Sequence, residues 1–117
     1  MKYMLLIYSD ENAMGEPSPE EMAEVLAVWN AYGTEMADAG VLIAGEGLQP
    51  TMTATTVSMQ NGEHITTHGP FAETKEQLGG FYMIDCANLD EAIAWAAKNP
   101  GVQYGKIEVR PVMDYGN

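Results

Sequence analysis

The stretch His68-Gly69-Pro70-Phe71-Ala72-Glu73-Thr74-Lys75-Glu76-Gln77-Leu78-Gly79-Gly80 concentrates side chains that can do chemistry. An imidazole, an aromatic ring, two carboxylates and an amine follow one another between two segments that read as strands. Loops tolerate almost any polar sequence, so one this rich is expected to build a site as well as to connect. A histidine at position 68 suits a general base near neutral pH. Its structural alternative is to cap the Gly-Pro turn, although Asp, Asn and Ser form such turns better. Glu46 is the second candidate base. It stands in Ala44-Gly45-Glu46-Gly47-Leu48-Gln49-Pro50, where flanking glycines let the backbone close around a carboxylate and desolvate it. The same glycines would also serve simply to turn the chain.

Around these two, Phe71, Glu73, Lys75, Tyr82 and Arg110 are the expected substrate-binding side chains. Lys75 would hold the carboxylate of a small organic acid, or else pair with Glu73 or another acid and pin the loop, a pair worth little when exposed. Arg110, in Glu108-Val109-Arg110-Pro111, offers a rigid fork for a bidentate carboxylate, from a ligand or from Glu46 or Glu108. The chemistry this set implies is proton abstraction without a cofactor, as in an isomerase or lyase. No Gly-x-Gly-x-x-Gly or Walker pattern supports a phosphate loop. His64 and His68 would share one face of a strand but lie roughly 13 Å apart. Zinc needs about 2.1 Å to each nitrogen, so no metal site is expected. Cys86 lies inside an apolar segment and reads as a packed small hydrophobe. Trp29, Trp95 and most methionines read as packing residues.

The elements that must position this set run strand, helix, strand, inserted hairpin, strand, helix, strand. Tyr3 to Tyr8 is apolar throughout, so both faces of that strand should be covered. A polar loop from Asp10 leads to a helix starting at Ser18, with Pro19 at its first position and Glu21 completing a Ser-x-x-Glu capping box. Met22, Val25, Leu26, Trp29, Met36 and Ala37 form its expected apolar stripe, and Gly40 ends it. Val41 to Ala44 is a strand. Thr55 to Gln60 and Glu63 to Thr67 flank Asn61-Gly62, a strong hairpin signal. Gly80 to Cys86 is a second strand apolar on both faces. Asn88 caps a helix with Leu89, Ala92, Ile93 and Ala96 inward, Lys98 near its end and Pro100-Gly101 beyond. Tyr104 to Met113 is the last strand, with Ile107 and Val109 inward.

Two β-α-β units of these lengths give a ferredoxin-like α+β domain over residues 1–117. Its two central strands are the pair apolar on both faces. Helices cover one face only, so a second copy is expected on the other, as a dimeric α+β barrel. The alternative is that the hairpin folds back over the sheet.

With 17 acidic and 5 basic residues the formal net charge is -12. Such a surface repels phosphate backbones and anionic membranes, excluding direct nucleic-acid and membrane partners. Hydrophobic residues make up 46% of the chain, which suits one globular core. One unpaired cysteine, a short N-terminal apolar run meeting Asp10 and Glu11, and no transmembrane-length segment lead to an expected cytoplasmic location.

The Gly69-Pro70-Phe71-Ala72-Glu73-Thr74-Lys75-Glu76 run resembles the YCII-related proteins, and especially the subgroup named for an Asp-Gly-Pro-Phe (DGPF) motif. His68 replaces the first Asp of that motif. The resemblance extends from Met1 to Met113 and includes Glu46. It implies a ferredoxin-like dimeric α+β barrel, related to muconolactone isomerase, with a pocket between sheet and helices. A His-Asp pair is proposed as catalytic in some members. Trp29 stands where that His would fall, so the dyad is absent in its usual form. The DGPF resemblance also implies a link to extracytoplasmic-function sigma factors. A non-catalytic ligand-binding or regulatory partner is therefore the alternative to an enzyme.

Overall fold

A computed structural model describes residues 1–13 and 15–116. Met14, in the loop expected from Asp10, and the terminal Asn117 lie outside the described residues. The chain runs β1 (Lys2–Ser9), α1 (Pro19–Asp38), β2 (Leu42–Gly47), β3 (Thr55–Gln60), β4 (Glu63–His68), β5 (Gln77–Asp85), α2 (Leu89–Lys98) and β6 (Lys106–Pro111). Four strands form one antiparallel sheet in the order β2-β5-β1-β6, and β3 and β4 form a separate hairpin. This is the ferredoxin-like α+β arrangement. The strands expected to be central, β1 and β5, are the central pair.

Local signals act where the sequence places them. The Ser18 hydroxyl accepts from the Glu21 N–H at 3.1 Å while the Glu21 carboxylate accepts from the Ser18 N–H at 3.3 Å, closing the capping box of α1. The Asn88 side chain accepts from the Glu91 N–H at 3.0 Å and starts α2. Asn61 and Gly62 both adopt positive φ, 51° and 81°, as a two-residue hairpin turn of this twist requires.

Strand alternation sorts β1 into two sets. Tyr3, Leu5 and Ile7 are buried and join Tyr32, Met36, Ile84, Cys86, Ala92 and Ala96 in the core beneath the helices. Met4, Leu6 and Tyr8 point to the opposite face and are half-buried. The register pairs Met4 with Met83 and Leu6 with Phe81, which extends that apolar face onto β5. Neither helix covers it. The molecule measures 48 × 47 × 19 Å, and 19 Å is room for about two layers, one of sheet and one of helices roughly 10–12 Å thick. The hairpin does not fold back over the sheet: every β4 residue and five of the six in β3 are exposed.

The inward stripe of α1 differs from the expected one. Met22, Leu26 and Ala37 are exposed, whereas Tyr32, absent from the expected stripe, is 4% exposed. A tyrosine can be buried when its hydroxyl finds a partner, and Tyr32 Oη donates to the Trp95 carbonyl at 2.8 Å. Leu89 and Ile93 of α2 also lie half in solvent, leaving Ala92 and Ala96 as its buried contacts.

Burial of Tyr32 has a pH consequence. Desolvation pushes its phenol from the ordinary 10.0 up to about 12, offset in part by the nearby Asn99 side chain. The unfolded chain ionises this group near pH 10 while the folded chain keeps it neutral. Its contribution is therefore complete below pH 10 and lost as pH rises from 10 to about 12. The loss is on the order of 2–3 kcal/mol. Urea melts at about pH 9 and about pH 11.5 should show a steeper alkaline loss in the natural protein than in Tyr32→Phe. Equal losses in both would contradict this burial.

Candidate functional site

The hollow of interest lies at the end of the sheet where β2 and β5 meet, under α1. It is an open hollow of about 330 Å³, lined by Gly45, Gly47, Gly79 and Gly80, by Ile7, Trp29 and Tyr82, and by Ser9 and Glu46. The space follows from the sequence of the strands. Four glycines remove the side chains that would otherwise fill this end of the sheet. At Gly45 a Cβ would come within 2.5 Å of the Tyr82 ring, so glycine is what lets Tyr82 lie flat against β2. Trp29, reaching down from α1, stacks on Tyr82 with ring centroids 6.4 Å apart and planes 10° from parallel. Tyr32 meets the same tyrosine edge-on at 5.3 Å and holds it from behind. Desolvation raises the Tyr82 phenol above its ordinary 10.0. Among the described residues the Tyr82 hydroxyl, the Trp29 indole N–H and the Ser9 hydroxyl have no hydrogen-bond partner within the protein, so all three are available to a ligand.

Of the residues expected to form a site, the hollow gathers Tyr82 and Glu46. Glu46 is exposed, and its register partner is Phe81, on the sheet face opposite Tyr82. Its side chain therefore leaves from the other face of the sheet and is solvated, where a desolvated carboxylate was expected. His68 ends β4 in the exposed hairpin, and Phe71 is 90% exposed. Glu73 and Lys75 are exposed, as is Arg110, which sits opposite Met4 on the uncovered sheet face. None of these five lines the hollow.

The loop after His68 is instead tied down by its backbone and by neighbours. The Thr74 hydroxyl donates to the Glu76 carbonyl and the Gln77 amide donates to the Thr74 carbonyl, both at 2.6 Å. The Glu11 N–H donates to the Gln77 side chain at 3.0 Å, and the Glu11 carboxylate accepts from the Thr51 N–H and hydroxyl, each at 2.8 Å. Glu76 pairs with Lys106 at the start of β6. The acid that pins this loop is thus Glu76, and its base comes from another strand. Lys75 and Arg110 form no ion pair among the described residues.

Sequence reasoning passed over Trp29 as packing and did not single out Ser9. The available signal was the density of glycines at 45, 47, 79 and 80, which becomes a hollow only once β2 and β5 are known to pair. Cys86 is part of the core, and burial raises its thiol. Among the described residues no three metal-ligating side chains converge, and no helix is long and apolar enough to cross a membrane.

Two comparisons with known proteins agree on kinship. An uncharacterized protein of Rhizobium meliloti (strain 1021) is 44% identical over 117 residues, covering 98% of this chain and 94% of that one. The model of the YCII-related domain matches residues 1–115. The chain belongs to the YCII-related domain family.

Proposed function

We propose that this protein is a dimeric small-molecule-binding protein of the DGPF type, acting by binding and not by turnover. The observation that carries the binding role is the glycine-lined hollow beneath the Trp29–Tyr82 stack. It has the size and mainly apolar lining, with a few free polar groups, that suit a small ligand. A catalytic base would need to stand beside a ligand and out of bulk water. In the protomer His68, Glu46, Lys75 and Arg110 are all exposed, which favours the binding role over an isomerase or lyase. Such a protein suits a regulatory partner, including one linked to sigma-factor signalling. The uncovered apolar face of β1 and β5 supports the second copy. So does the radius of gyration, 16.5 Å, against the roughly 13 Å of a compact chain this long.

The test is a small-molecule screen followed by amide chemical shifts. Binders that stabilise the fold, by about 2.7 kcal/mol at a hundredfold excess over Kd, should perturb the amides of Ser9, Gly45, Gly47, Gly79 and Gly80. If instead they cluster at the hollow between Met1 and Tyr115, or at the one between Pro17 and Tyr104, the assignment is lost.

A further inference from the structure

We infer that the hollow takes a small organic cation, a flat or methylated ammonium, and not the organic acid that Lys75 and Arg110 suggest in the sequence. This rests on the proposal that the hollow is the binding site. Three observations point to it. First, the described lining holds no Lys, Arg or His, so a carboxylate entering it would meet no fixed positive charge. Second, Trp29 and Tyr82 are among the lining residues, and tryptophan is the best of the natural cation-binding side chains. Third, among the described residues Glu46 is the one charged residue bordering the hollow, in a chain with formal net charge -12. The field of the protein therefore draws cations in and turns anions away.

The other tryptophan shows what this surface accepts. Lys98 Nζ lies 5.1 Å from the centre of the Trp95 ring, so that face already has its cation. Trp29 has no basic side chain over it among the described residues. The free phenol, indole N–H and hydroxyl of Tyr82, Trp29 and Ser9 would orient whatever polar group the cation carries.

Three probes of one shape decide the matter: benzyltrimethylammonium chloride, benzyl alcohol and sodium benzoate. In the 15N-labelled full chain, the two tryptophans give two indole N–H signals, which Trp95→Phe assigns. The cation should shift the Trp29 signal and the Gly79 and Gly80 amides saturably, leave the Trp95 signal in place, and bind about tenfold more tightly than benzoate. Raising salt from about 0.05 M to about 0.5 M should narrow that gap. Trp29→Leu should weaken the cation about tenfold. If that variant does not fold, Glu46→Gln should still weaken the cation about two- to threefold while leaving benzyl alcohol unchanged. Benzoate binding more tightly at these same signals would overturn the cation assignment and leave the hollow standing. Failure of all three probes to move them would overturn both the cation assignment and the hollow as a site.

Discussion

Leu6→Glu should turn the proposed dimer into a folded protomer. Leu6 sits in the middle of the uncovered sheet face, between Phe81 of β5 and Glu108 of β6. On the protomer it is half-buried and points away from the helices, so a carboxylate there keeps its water and disturbs the core little. In a face-to-face dimer the same carboxylate is desolvated, lies beside its own Glu108 and approaches a copy of equal negative charge. A twofold interface repeats each change in both copies. At about 2 kcal/mol for each buried unpaired charge, the dissociation constant should rise by on the order of a thousandfold. Sedimentation should then report a mass of 12.7 kDa where the natural protein gives twice that. Leu26→Glu, which adds the same charge to the exposed side of α1, should leave the dimer intact. A natural protein that sediments as a protomer, or a Leu6→Glu variant that dimerises as before, would remove the second copy from the account.

How much of this was legible in the sequence depended on how local each signal was. The capping box of Ser18 and Glu21, the Asn88 cap and the Asn61-Gly62 turn each depend on neighbours within a few residues, and all three stand where the sequence puts them. The order of the central strands was also legible, because Tyr3 to Tyr8 and most of Gly80 to Cys86 are apolar on both faces, as the middle strands of such a sheet are expected to be. Boundaries that depend on pairing were less so. Strand β2 runs on to Gly47, past the expected end at Ala44, because Gly45 and Gly47 pair with Tyr82 and Gly80. Strand β5 begins at Gln77, three residues before the expected start at Gly80, so Gly79 also lies inside it. Strand β6 is shorter than expected at both ends, Lys106–Pro111.

The candidate site was the least legible part. Its aromatic wall comes from α1 and β5, and its empty space from β2 and β5, so no single stretch announces it. The loop from His68 to Glu76 drew attention through the variety of its side chains. Its hydrogen bonds show that Thr74, Glu76 and Gln77 mainly fix the chain. Variety in a loop signals many partners, and those partners here belong largely to the protein itself.

Gly105→Val should be the most damaging single change in the sheet. Gly105 lies between the short helical turn Pro100–Gln103 and β6, and its N–H donates to the Gly101 carbonyl at 2.9 Å. A Cβ at this position would overlap the Tyr8 carbonyl oxygen and come 2.9 Å from Ser9 Cα. Both are backbone atoms of β1, held on their other side by the pairing of Tyr8 with Leu78 and Ser9 with Gln77. A side chain could swing away, but this backbone cannot without opening the β1–β5 ladder. The strain is relieved by pushing β6 outward, which breaks the pairings of Lys106 with Tyr8 and Ile107 with Ile7 and draws Ile107 out of the core. The expected loss is about 3 kcal/mol or more, which for a domain this size lowers Tm by roughly 10 °C. Gly33→Ala is the opposite case, a helical glycine with no atom near the added methyl. It should raise stability by about 0.5–1 kcal/mol. Urea melts of the two variants should therefore move in opposite directions. A Gly105→Val protein within about 1 kcal/mol of the natural one would mean that β6 does not lie against β1 as described. Because β6 carries Glu108 and Arg110 on the uncovered face, the same displacement should weaken the proposed dimer along with the fold.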